Sequence, residues 1–328
     1  MDYTNIKTPL TDLLDIRYPI ILAPMFLVSN TKMVIEATRA GITGAIPALN
    51  YRTDKAFRMA LSELKEKADG PIGINIIANK SNIKLNEQLQ SCLEYQVDFV
   101  ITSLGNPDQI IKKCHDHGIL VFCDVVDEKY GRKVSELKPD ALIAVNKDAG
   151  GHAGNLGSAE LISRLQSVSD LPIISAGGVG NGRQFSEKLA EGACGISIGS
   201  PFIATLESPV SDAYKEACIQ YSAKDIVMST KLSGTPCTVI NTPYVQKTGT
   251  KQNLIESFLN KNKRFKKIAK MITFYKGMKS IEKAAFTSTY KTVWCAGPSI
   301  ESVKEVLPVQ FVVANLIKDY QAANQPVE

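Results

Sequence analysis

Eight short runs rich in β-branched residues recur between residues 20 and 198, and their spacing restricts the possible folds more than any other feature of the chain. The runs are Ile20–Pro24, Ile42–Ile46, Ile72–Ile76, Asp98–Thr102, Ile119–Cys123, Ala141–Val145, Pro172–Ala176 and Gly195–Ile198. Successive starts lie 22, 30, 26, 21, 22, 31 and 23 residues apart, room for one strand, one helix and two short loops each time. The runs are apolar throughout rather than alternating, as strands buried on both faces of a parallel sheet should be. Between them, polar caps open amphipathic segments and glycines close them: Asn30-Thr31 with Gly41, Thr53-Asp54 with Gly70-Pro71, Asn106-Pro107 with Gly118, and Asn181-Gly182 with Gly192.

Eight βα units predict an α/β chain folded as a closed (β/α)8 TIM barrel, with an open doubly wound sheet as the alternative. The barrel is expected over residues 1–221. Residues 222–295 are expected to form a smaller, mostly helical, basic module at the barrel mouth, beginning with an extended, turn-rich stretch at 226–246. Residues 296–328 should add a C-terminal helical segment against the barrel, interrupted by Pro308.

Composition bounds what else the chain can be. Hydrophobic residues make up 44% and charged residues 22%, enough apolar content for a large core, so wholesale disorder is excluded. The longest apolar stretch, Tyr18 to Val28, contains Pro19 and Pro24 and falls short of the ~20 residues that span a membrane. The opening Met-Asp-Tyr-Thr carries no basic and apolar leader, so no secretory signal and a cytoplasmic location are expected. The 7 cysteines are dispersed with no CxxC pair, which reads as reduced thiols. Cys114, His115, His117 and Cys123 are set aside as a zinc site, because histidines two apart point to different sides of a helix.

Charge is concentrated late. Between Lys251 and Lys283 ten basic residues face Glu256 and Glu282, a net +8 that leaves −3 for the rest of a chain whose total is +5. A basic nucleic-acid-binding module is a remote alternative on this ground. Phe258, Phe265, Phe274 and Tyr275 fit helix-core spacing as well as base stacking, so no nucleic-acid partner is expected.

Barrels of this kind carry their chemistry at the C-terminal ends of the strands and commonly hold phosphate in the last two βα loops. Those loops here read Ala176-Gly-Gly-Val-Gly-Asn-Gly182 and Gly199-Ser-Pro-Phe202. Glycine lets backbone amides close on an anion with no Cβ in the way. After the sixth run, Asn146 leads into Asp148-Ala-Gly-Gly-His152-Ala-Gly154, which places an imidazole among glycines where it can act as acid or base. Asn75, a polar residue inside an apolar run, must find a partner in the protein or in a ligand.

Together the segments Tyr18-Pro-Ile-Ile-Leu-Ala-Pro-Met25, Gly73-Ile-Asn75, Asp148–Gly154, Ala176–Arg183 and Gly195-Ile-Ser-Ile-Gly-Ser200 resemble the nitronate monooxygenase family, formerly 2-nitropropane dioxygenases. The likeness runs in order through residues 15–210 and more weakly through Ser233–Pro236 and Ala296-Gly297. It implies non-covalent FMN lying against Ala23, Pro24 and Met25, bonded by Asn75 and near Gly151. Gly178, Gly199 and Ser200 would hold its phosphate, Asn146 and Gly180 would be further cofactor contacts, and His152 would be the active-site histidine. It implies a small-molecule substrate, a nitronate oxidised with O2, and no membrane partner; homo-oligomerisation is left open. FMN-dependent enoyl-thioester reductases, which use NAD(P)H, share the barrel and the Gly-Gly-His-x-Gly loop and form the alternative. Three positions depart from the family pattern: Asn146 and Asp148, the Gly199-Ser-Pro stretch, and Asp124 where some relatives place a lysine.

Overall fold

The computed structural model describes residues 4–79, 82–231, 236–251 and 293–325. Eight parallel strands close into a barrel in the order β1-β2-β3-β4-β5-β6-β8-β9. They are β1 (Ile20–Leu22), β2 (Thr43–Pro47), β3 (Ile72–Ile77), β4 (Phe99–Ser103), β5 (Leu120–Val125), β6 (Ala141–Val145), β8 (Ile173–Ala176) and β9 (Gly195–Ile198). β1 pairs with β9 through Ile21 opposite Ser197, which closes the ring and excludes the open sheet.

Helices follow the strands in turn: α2 (Thr31–Arg39), α3 (Asp54–Lys67), α4 (Leu85–Glu94), α5 (Asp108–His115), α6 (Glu128–Ser135), α7 (Ser158–Gln166), α8 (Gly182–Ala190) and the short α9 (Ser200–Ile203). Their starts follow the sequence signals. Asn30, Thr53 and Asn181 each accept the orphan amide three residues on, from Met33, Ala56 and Gln184. Each such cap is worth about 1 kcal/mol over alanine. Cys114 and Cys123 are buried in the layer between strands and helices, where burial pushes both thiols up to about 12. His115 pairs with Asp140 at 2.9 Å.

The barrel interior is layered. An N-terminal helix, α1 (Pro9–Leu14), plugs the bottom with Leu10 and Leu14. Leu10 packs where a Cβ on Gly195 would sit, only 2.3 Å from its Cδ2. Above it Phe99 and Phe122 stack at 5.1 Å, together with Ile101, Ile143 and Ile174. Phe99 fills the space opposite Gly73, where an added Cβ would lie 2.2 Å from the ring. Side chains alternate in and out along a strand, so the next inward positions toward the open end are Asn75, Ser103 and Asp124.

A second, smaller sheet has the order β10-β11-β7, with β10 (Ile226–Ser229), β11 (Cys237–Ile240) and β7 (Gly151–His152). Helices α10 (Asp212–Gln220) and α11 (Pro243–Thr248) flank it in sequence. The basic segment 251–283 and Ser233–Thr235 lie outside the described residues, apart from Lys251 itself. At the C-terminus a 3-10 turn (Pro298–Ser302) precedes α12 (Val309–Ala323), and Pro308 stands at its N-cap. Helix α12 lies against α8 and α2, with Val309, Val313, Leu316 and Ile317 buried there. Among the described residues no helix is long and apolar enough to cross a membrane.

Candidate active site

The loop after β1 is fixed by backbone contacts. Ala23 donates its amide to the Ile198 carbonyl at 2.8 Å, which ties this loop to the end of β9. Ser29 Oγ donates to the Ala23 carbonyl at 2.6 Å and accepts from the Met25 amide at 3.0 Å. Asn50 then bonds the Ser29 carbonyl and the Leu27 amide. Ala23, Pro24 and Met25 are thereby held half-buried at the rim. Met25 reaches over β9: a Cβ on Gly199 would lie 3.1 Å from its Sδ.

The glycine loops after β8 and β9 supply donors without acceptors. Among the described residues the amides of Gly178, Gly199 and Ser200 make no hydrogen bond within the protein. Gly178 holds φ at +78°, a conformation that a side chain strains. Ser200 Oγ accepts the Gly297 amide at 2.8 Å and retains its own proton to donate. These unpaired donors on adjacent loops suit an anionic phosphate.

Two of the sequence-expected contact residues also bond within the protein. Asn146 is 1% exposed and its amide bridges two loops, accepting from the Asp148 amide at 2.8 Å and donating to the Gly177 carbonyl at 3.0 Å. It ties the loop after β6 to the loop after β8. The Gly180 amide donates to Gln184 Oε1 at 2.8 Å, and the space beside its Cα is filled by Ser302 Oγ. Its lack of a Cβ serves the packing of the C-terminal segment.

His152 does not sit in a free loop. It occupies β7, opposite Cys237 of β11, while Gly151 faces Thr238. Thr238 Oγ1 donates to the Ala149 carbonyl at 2.6 Å and braces the approach to the strand. The imidazole surface is open, yet the protein packed around the position lowers its pKa below the usual 6.5 by desolvation. At neutral pH it is therefore a neutral base. Gly151 beside it has φ +78° and open space where a Cβ would be.

Asn75 heads a polar tier at the open end of the barrel. Its Nδ2 donates to the Ile101 carbonyl at 3.2 Å and to Ser103 Oγ at 2.7 Å. Since Ser103 accepts there, its single proton goes to Asp124 Oδ2. Burial raises the Asp124 carboxyl to about 6 against the opposing pull of the Ser103 hydrogen bond. Ser103 and the charge of Asp124 were not among the sequence candidates. The apolar runs stop at Thr102 and Cys123, one residue short of each. The same rule that picked out Asn75, a polar side chain late in a buried strand, applies to both.

A closed eight-stranded parallel barrel with unpaired amides on its last two loops defines a (β/α)8 protein of the class that holds an anionic, phosphate-bearing ligand at the strand C-termini. Residues 7–319 match the nitronate monooxygenase family, and the chain belongs to that family. It is 27% identical to a (3aS,4S,5R,7aS)-5-hydroxy-7a-methyl-1-oxo-octahydro-1H-indene-4-carboxyl-CoA dehydrogenase of Rhodococcus jostii, across 79% of this chain and 74% of that one. It is 23% identical to a probable nitronate monooxygenase of Staphylococcus saprophyticus, across 74% of this chain and 81% of that one. The structure of FabK from Thermotoga maritima superimposes with a TM-score of 0.84 at 26% identity, covering 97% of each chain.

Proposed function

We propose that the chain is an FMN-dependent nitronate monooxygenase acting in the cytoplasm. What supports this reading is the set of unpaired amides of Gly178, Gly199 and Ser200, Met25 over Gly199, and the loop leading to His152, packed so close that a Cβ on Gly150 would lie 2.9 Å from Ser200 Oγ. The amides would hold the cofactor phosphate, and Met25 with Ala23 and Pro24 would pack on its flat ring system. Bound flavin supplies the electron-accepting chemistry by which a nitronate and O2 yield a carbonyl compound and nitrite. Neutral His152 orients the nitro group by a hydrogen bond, and with a neutral nitroalkane it takes the α-proton at the imidazole nitrogen. The test is anaerobic mixing of the flavin-loaded protein with ethylnitronate: loss of the flavin's visible absorption without NAD(P)H supports the reading, and an unchanged spectrum refutes it.

A second reading, oxidoreduction of a CoA thioester with NAD(P)H, is favoured by the CoA-ester dehydrogenase among the relatives. Leu104 and Val126, each 40% exposed and directly following Ser103 and Val125, give an apolar edge that suits an acyl chain. Flavin reduction by NADPH followed by reoxidation with crotonyl-CoA would select this alternative.

A further inference from the structure

The tier Asn75–Ser103–Asp124 has a direction. Both Nδ2 protons of Asn75 are committed, one to the Ile101 carbonyl and one to Ser103 Oγ. The Ser103 hydroxyl therefore points its proton at Asp124 Oδ2. That is the one hydrogen bond Asp124 receives, and Oδ1 has no partner among the described residues. Among the described residues no cation pairs with it or acts on its charge. On β4 its neighbour is Ser103, and β6, its other neighbour in the sheet, carries no charged residue. On β5 and α6 the nearby groups are Cys123 and Tyr130, both held neutral by burial. His152, on the strand that follows β6, is a further titratable group, its pKa lowered below the usual 6.5 by burial.

An ionised carboxylate in this position opposes an anion arriving at the barrel mouth, and a protonated one does not. We propose that Asp124 is a specificity-determining residue that selects substrate by charge: the site admits an anion of the nitronate type when the Asp124 carboxyl is protonated, and a neutral carbon acid or thioester when it is ionised. The inference rests on the proposed reading of the reaction for its substrate. Burial places the titration close to physiological pH, so both forms are accessible there. Two like charges about 6 Å apart at an effective dielectric of about 20 repel enough to weaken binding about a hundredfold.

The probe is nitrate, an unreactive planar anion with the O–N–O shape and charge of a nitronate head, titrated by calorimetry into the flavin-loaded protein from about pH 5 to about pH 8. Affinity should fall as pH rises through the Asp124 titration, by up to about a hundredfold. Asp124→Asn should abolish that fall and leave only the smaller decline from His152 losing its proton, which a further His152→Ala removes. Ser103→Ala, by removing a bond that lowers the carboxyl pKa, should move the fall to higher pH. Infrared difference spectra give a readout independent of turnover: a protonated-carboxyl band missing from Asp124→Asn, whose midpoint nitrate raises by linkage. The proposal is overturned if Asp124→Asn keeps the full decline, if nitrate fails to bind below the midpoint, or if the band does not move. Nitrate linkage intact with no flavin reduction by ethylnitronate would refute the reading of the reaction and leave charge selection standing.

Discussion

Asp124→Asn should make the protein more stable at neutral pH and leave it unchanged in acid. The folded carboxyl titrates at about 6 against a usual value of 3.8, because burial disfavours its charge. A carboxyl raised in this way contributes stability that is fully present below the unfolded pKa and is lost as pH rises from about 4 to about 6. The shift of about two units corresponds to about 3 kcal/mol at 1.36 kcal/mol per unit. Asparagine keeps the shape and still accepts from Ser103, but carries no charge at any pH. The variant should therefore gain about 3 kcal/mol over the native protein at pH 7.5 and next to nothing at about pH 3. For a chain of 328 residues, with an unfolding entropy of about 2.1 cal/mol/K per residue, that gain raises Tm by about 4 °C. Urea melts of both proteins at the two pH values, in the same flavin state, measure it. A constant difference between the proteins across pH would refute the reasoning, since it would mean that the carboxyl does not titrate abnormally.

Three further outcomes follow from the geometry. Gly178→Ala strains a φ of +78° and brings a Cβ to 3.3 Å from Asp148 Cβ, so flavin retained after dialysis should fall while the melting transition stays cooperative. His152→Ala should keep its flavin and lose about 10²–10⁴-fold on a neutral nitroalkane but much less on the preformed nitronate; in the native protein the nitroalkane rate should rise with pH and level off below the usual imidazole value of 6.5, because the neutral imidazole is the base. Diamide should link Cys237 to Cys295, whose sulfurs lie 3.7 Å apart, and peptide mapping should find that cross-link ahead of any between the other five thiols.

The barrel was legible because a short apolar run recurs eight times at even spacing, and four of the intervening segments carry a polar residue at the start and a glycine at the end. Local signals failed where the partner is distant. β7 is two residues long, and only its pairing with Cys237 and Thr238 makes it a strand. Asn146 and Gly180 look like ligand positions by type and neighbourhood, and only the folded chain shows that the Asn146 amide also ties Asp148 to Gly177 and that the Gly180 amide donates to Gln184. Asp124 and Ser103 were cut off because hydrophobicity ends a run at its first polar residue, while the strand continues to the rim. In a barrel, polar residues at that last inward layer face the site, so the informative part of such a strand lies just past its apolar stretch.

The central claim is that this barrel uses a flavin to oxidise a nitronate with oxygen. The most direct measurement is one anaerobic titration of the purified, flavin-loaded protein with ethylnitronate, followed by admission of air, with nitrite assayed at the end. The account predicts that the flavin absorption bleaches without NAD(P)H, returns with oxygen, and leaves nitrite behind. A flavin that stays coloured with ethylnitronate and bleaches with NADPH would contradict it.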